Sequence, residues 1–157
     1  AQGGLPLAYT PLVLVGMNIV YALAAYPCGQ WADRWPVSYL LLPGVALLLA
    51  ADLVLASSVT TGSLALGIAL WGLHMAMTQG LLAALVAKTA PEDLRGTAYG
   101  MFYLCSGLAM LLASGLAGWL WDSLGAPSTF LAGAGFCLLS LVLMQHPGLR
   151  RLMAQPA

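Results

Sequence analysis

Five long stretches of this chain are almost empty of charge, and that spacing limits what it can fold into more than any motif does. They run over about Thr10–Trp31, Pro36–Ala56, Gly62–Ala87, Gly96–Trp121 and Pro127–His146. At about 1.5 Å of rise per residue, a helix of that length crosses the roughly 30 Å of hydrocarbon in a bilayer. Ten-residue segments of alternating polarity, the mark of an outer-membrane barrel, are not seen. The spans are therefore expected to be helices, which satisfy their own backbone hydrogen bonds in lipid. With five basic and five acidic residues in 157 and a mean hydropathy of +0.91, the chain has too little polar surface to coat a soluble globule. The runs are also too many for a signal peptide. The expected fold is all-α: a polytopic transmembrane helical bundle of five spans, residues 1–157 forming one transmembrane domain with no separate hydrophilic part.

The connections are short, which makes consecutive helices antiparallel neighbours. Trp31–Pro36 and Lys88–Arg95 carry charge, Ser57–Thr61 is a neutral Ser/Thr turn, and Asp122–Ala126 holds one acid. Pro36, Pro91 and Pro127 stand where a first helical turn tolerates a missing N–H. Arg34, Lys88, Arg95, Arg150 and Arg151 all fall on one side of such a bundle, so the loops at 32–35 and 88–95 and the C-terminus are expected to be cytoplasmic. The N-terminus is then outside. A chain that opens on the outer face, begins with Ala and has an odd number of spans reads as a piece of something longer. Trp31, Trp35, Trp119 and Trp121 lie at expected span ends, the place of interfacial anchors.

Cys28, Cys105 and Cys137 are odd in number, sit inside spans and lack metal-ligand spacing, so they read as small buried apolar residues. No CxxC, HExxH, Walker or GxGxxG pattern is present. No metal, cofactor, nucleic acid or soluble-enzyme chemistry is expected.

The segment Gly29-Gln-Trp-Ala-Asp33-Arg34 resembles the G-x-x-x-D-R loop signature of the major facilitator superfamily, the large family of twelve-helix secondary transporters. "APEDLRGTAYG" (residues 90–100) resembles the P-x-x-x-R-G cytoplasmic entry to that family's penultimate helix, and "LAGWLWD" (116–122) resembles the outer end of the same helix. The family carries its loop signature twice, and only four spans follow Asp33–Arg34. The resemblance therefore implies helices eight to twelve of a transporter's C-terminal half, with residues 1–9 as an outer loop and the N-terminal half as a missing partner. It also implies an integral plasma (inner) membrane protein of a bacterium. The signature normally continues with Gly and more basic residues; here Trp35-Pro36-Val37 follows.

The loop chemistry stands without the family name. Gly29 lets another helix approach closely. Asp33 can accept backbone N–H groups and pair with Arg34 or Arg95, holding helix ends together in one state and releasing them in another. Solvation of a turn is the plainer alternative. In the fourth span Gly96, Gly100, Gly107, Ser114 and Gly118 fall within about 40° of one another at 100° per residue, a groove that another backbone can enter. Tyr103 interrupts it. By the resemblance the groove faces the missing half; packing within the five spans remains the alternative.

Polar residues inside spans need a partner or water, and so mark candidate sites. His74 lies near the middle of the third span, with Trp71 and Thr78 within about 60° on the same face and Gln79 on an adjacent strip. The resemblance makes this span the tenth helix, which lines the family's central cavity. These residues are the expected substrate or proton pathway, joined by Asn18 and Tyr21 on one face of the first span. Asp52 reads as an outer-surface acid reaching the headgroups, with proton carriage as the alternative. Met75, Met77, Met101 and Met110 read as adaptable packing.

Secondary active transport of a small molecule by alternating access, coupled to protons or another ion, is the expected function; a membrane-embedded enzyme or a non-transporting scaffold is the alternative. Paired intramembrane carboxylates, a His/Glu cluster or a Ser/Lys dyad would favour the enzyme, and none is present. Residues 1–157 by themselves are expected not to transport. Gradient-driven uptake or efflux by this chain alone in liposomes would contradict that expectation.

Overall fold

The structure is a computed structural model that describes residues 10–57 and 60–154. Five long helices dominate it: α1 (Thr10–Ala32), α2 (Ser38–Ala56), α3 (Thr61–Thr89), α4 (Arg95–Leu124) and α5 (Ala126–Leu143). A seven-residue helix, α6 (Pro147–Met153), follows. Each of the five long helices is long and apolar enough to cross a membrane. The outer loop expected over residues 1–9 lies outside the described residues, as does the middle of the Ser57–Thr61 turn.

The helix ends have local causes. Thr60 opens α3 with a reciprocal box: its Oγ1 accepts from Ser63 N–H at 3.1 Å, while its own N–H donates to Ser63 Oγ at 3.2 Å. α4 ends at Gly125, whose φ of 87° only glycine adopts without strain. α5 stops at Leu143, before the expected 146, because His146 caps α6 instead: its Nδ1 accepts from Gly148 N–H at 3.3 Å. α6 was not anticipated from the sequence. Its Met153 is 4% exposed and packs with Cys28, Val37, Leu40, Leu41 and Leu81, a cluster at the end of the bundle that carries the basic loops.

α2 is the central helix, packed between α3 and α5; α1 lies against the far side of α3. α4 leans chiefly on α5 and more lightly on α3, so that α2, α3, α4 and α5 form a ring. Lipid tails offer no hydrophobic pull between helices, so contact depends on close approach. Glycine supplies it at four places. A Cβ built on Gly72 would lie 2.6 Å from the Met17 carbonyl oxygen of α1; on Gly67, 2.5 Å from Leu55 of α2; on Gly44, 2.8 Å from the Thr78 methyl of α3; and on Gly133, 2.5 Å from Asp52 Oδ2.

α4 differs: no residue on it is buried. A Cβ at Gly96, Gly100, Gly107 or Gly118 would meet nothing within 4 Å, so the groove of small residues has no partner among the described residues. Exposure of α4 also corrects three expectations. Cys105 is exposed while Cys28 and Cys137 are buried, and Met101 and Met110 project from the bundle rather than packing within it. Polar bonds hold this helix where apolar packing does not. Tyr99 Oη donates to the Ala83 carbonyl of α3 at 3.1 Å, and Ser128 and Thr129 of α5 donate to the Leu120 and Ala117 carbonyls of α4 at 3.0 and 3.2 Å.

These contacts separate two kinds of glycine. Gly72→Ala should destabilise the chain by about 1–3 kcal/mol, because the new methyl pushes α1 off α3. Gly107→Ala meets open space and should be neutral or stabilising by up to about 1 kcal/mol. Thermal unfolding in detergent compares the two; equal losses would mean that the α4 groove is packed after all.

Candidate functional site

His74 stands in the middle of α3, where its backbone turns it toward α2. The ring Nδ1 lies 2.8 Å from the Gly44 carbonyl oxygen. A carbonyl only accepts, so Nδ1 carries a proton, and in the neutral ring Nε2 is left as an acceptor. Gly44 makes the bond possible. Without a side chain it lets the Thr78 methyl and the Met77 Cβ settle against α2, which brings His74, one turn earlier, within reach.

His74 also borders a pocket of about 470 Å³ between α1, α3 and the ends of α2 and α5, whose lining includes Trp71, Met75, Gln79, Met17 and Phe130. Lined this way it presents apolar and aromatic surface, one imidazole acceptor and one carboxamide. Trp71, which lines this pocket, is 36% exposed.

Three of the residues expected to share this site do not. Thr78 is 5% exposed; its hydroxyl donates to the His74 carbonyl at 2.9 Å and its methyl is spent on Gly44, so it serves the α2–α3 crossing. Asn18 is exposed, and its Nδ2 donates to the Leu14 carbonyl of its own helix at 2.8 Å. Tyr21 lines a different groove, between α1 and α3 near the basic loops, together with Gly29, Asp33, Met77 and Gly80. Asn18 and Tyr21 share a face of α1, but Tyr21 borders that groove while Asn18 bonds back to its own helix.

The loop also departs from expectation. Asp33 and Arg34 make no side-chain hydrogen bond or ion pair among the described residues, and Arg95 pairs instead with Glu92 at 3.8 Å. A Cβ at Gly29 would meet nothing within 4 Å, so among the described residues no helix uses the space it leaves. Asp33 instead borders the α1–α3 groove. Its backbone closes α1 by donating to the Gly29 carbonyl at 3.2 Å.

Asp52 is the largest correction. Rather than reaching headgroups it is 5% exposed, turned inward between α2 and α5 with its Oδ2 3.9 Å from Cys137 Sγ. The signal that could have found it was Gly133 on the fifth span, but nothing in the sequence pairs the two.

Comparison with known proteins fits this architecture. The model of the Major Facilitator Superfamily matches residues 4–149. An uncharacterized MFS-type transporter of Methanocaldococcus jannaschii is 35% identical over 127 residues, 81% of this chain and 32% of that protein. The inner membrane transport protein YajR of Escherichia coli is 30% identical over 91 residues, 57% of this chain and 20% of that protein. The chain thus spans a third or less of the length of these relatives. Among solved structures, a mutant peptide transporter POT in complex with alafosfalin superposes with a TM-score of 0.76 at 20% identity, covering 92% of this chain and 31% of that one. That likeness is one of fold. Five membrane-crossing helices in this arrangement, matched nearly end to end by the family's model, make the chain a member of the Major Facilitator Superfamily.

Proposed function

We propose that this chain forms helices eight to twelve of a secondary transporter that carries a small molecule by alternating access, and that the pocket around His74 contacts the cargo. The observation that carries this reading is the divided imidazole: Nδ1 is committed to Gly44, while Nε2 is free to accept beside Trp71 and Gln79 in a mid-membrane pocket. Transporter sites lie at this depth, where a polar group without an internal partner is costly unless it meets water or ligand. An acceptor, a carboxamide and aromatic walls suit a largely apolar molecule that donates a hydrogen bond. A multiply charged anion would need cations that this pocket does not have among its lining residues.

On this reading the α1–α2 and α3–α4 connections and α6 lie on the cytoplasmic side of an inner membrane, which the arginines and lysine gathered there support. The partnerless groove of α4, from Gly96 and Gly100 through Gly107 and Ser114 to Gly118, is the surface offered to the transporter's other half. Asp33 and Arg34, whose side chains have no ion pair among the described residues, are then available to latch against helix ends in the alternate state, while Arg95 rests on Glu92.

Two variants of the full-length transporter test this reading. His74→Gln keeps a hydrogen-bonding group and should retain weakened binding. His74→Ala should cost about 1 kcal/mol, or several-fold in cargo affinity, measured by equilibrium binding alongside thermal stability. Affinity and pH profile unchanged in both variants would make His74 a packing residue. Asp33→Asn should slow turnover while leaving membrane insertion and cargo affinity intact, because topology rests on Arg34 and its basic companions. Turnover equal to that of the unmodified transporter would leave Asp33 only the role of solvating a turn.

A further inference from the structure

Asp52 is an acid placed where an acid is hardest to keep. It lies one turn before the end of α2, inside the ring made by α2, α3, α4 and α5, and borders a second pocket of about 460 Å³. α3 contributes Trp71 to its lining, α4 an apolar wall that includes Leu116, and α5 Phe130, Gly133 and Cys137. The titratable group facing Asp52 is the Cys137 thiol, and no lysine, arginine or histidine lines the pocket among the described residues. His74, the histidine of α3, has its Nδ1 bound to Gly44, two turns away along α2, and borders the other pocket.

The fit around the carboxyl is close. Oδ2, Cγ and Oδ1 would lie 2.5, 3.1 and 3.5 Å from a Cβ on Gly133, so the seam between α2 and α5 is shaped around the group. An ionised carboxylate in such a place, without a cation or several N–H donors, pays a large desolvation cost; a neutral acid does not. We propose that Asp52 is a proton-binding site: in the arrangement seen here it is the neutral acid, with the thiol of Cys137 beside it, and it releases its proton only when water reaches it through the pocket. The proton comes from that water and returns to it.

The two pockets share a wall. Trp71 and Phe130 border both the Asp52 pocket and the His74 pocket, so a change in charge at Asp52 acts on side chains that would also touch cargo. That coupling rests on the transport reading above; the existence of the proton site does not.

Infrared spectroscopy of the lipid-reconstituted protein tests the site without any transport measurement. Near neutral pH the unmodified protein should show the carbonyl stretch of a protonated carboxylic acid. The band should be lost in Asp52→Asn, which keeps the shape of the neutral group, and shift in frequency in Cys137→Ala, which removes the thiol from its side. Helical content by circular dichroism checks that each variant is folded; should Asp52→Asn fail that check, the shift in Cys137→Ala decides. Absence of the band near neutrality, or a band indifferent to both substitutions, would overturn the proposal and leave the reading of the His74 pocket untouched.

Discussion

Helices in lipid gain nothing by hiding apolar surface from one another, so the whole bundle hangs on how closely their backbones can come. In this chain that closeness is concentrated at single glycines. Gly72 admits the Met17 carbonyl of α1, Gly44 admits Thr78, Gly67 admits Leu55 and Gly133 admits Asp52. The first three fix α1, α2 and α3 as a unit, and the fourth joins α5 to it. From this follow the hydrogen bond of His74 to α2, which needs α3 at short range, and the enclosure of Asp52, which needs α5 there.

Much of the fold was legible because a membrane span is a property of composition over about 20 residues, and composition does not depend on neighbours. The five long helices and their antiparallel order follow from runs of apolar residues and from short loops, whereas the family comes from the resemblance of residues 29–34, 90–100 and 116–122 to its signatures. Contacts are another matter. The stripe from Gly96 to Gly118 is the most regular small-residue pattern in the chain, and among the described residues a Cβ on any of its glycines would meet nothing within 4 Å. The glycines that do pack stand alone, without a repeat to mark them. α6 escaped for a related reason: seven residues with Arg150 and Arg151 among them are too short and too polar for a hydropathy reading, and only burial of Met153 reveals that the segment folds back.

The site was half legible. His74, Trp71 and Gln79 do border one pocket, as their mid-span position suggested, but Thr78 belongs to a helix crossing and Tyr21 to another groove. A helical wheel gives the direction in which a side chain leaves its helix and says nothing of what stands opposite. For Asp52 the missing information was larger still. One turn from a helix end, an acid can snorkel outward or turn inward, and the choice was made by a gap on a different helix, at Gly133.

The bonds that tie α4 to α5 have a mechanical meaning. Ser128 and Thr129 anchor the first turn of α5 to carbonyls in the last turns of α4, and Gly125 makes the reversal between them in a single residue. The two helices are thus pinned at one end like the blades of a pair of tweezers. Near the other end α4 is held by the Tyr99 hydroxyl and reached through the one-turn 3₁₀ segment Glu92–Leu94, with no buried side chain along its length. Swinging α4 about this joint has to break the Tyr99–Ala83 hydrogen bond, one turn from Arg95, while the Ser128 and Thr129 bonds at the pinned end can stay in place.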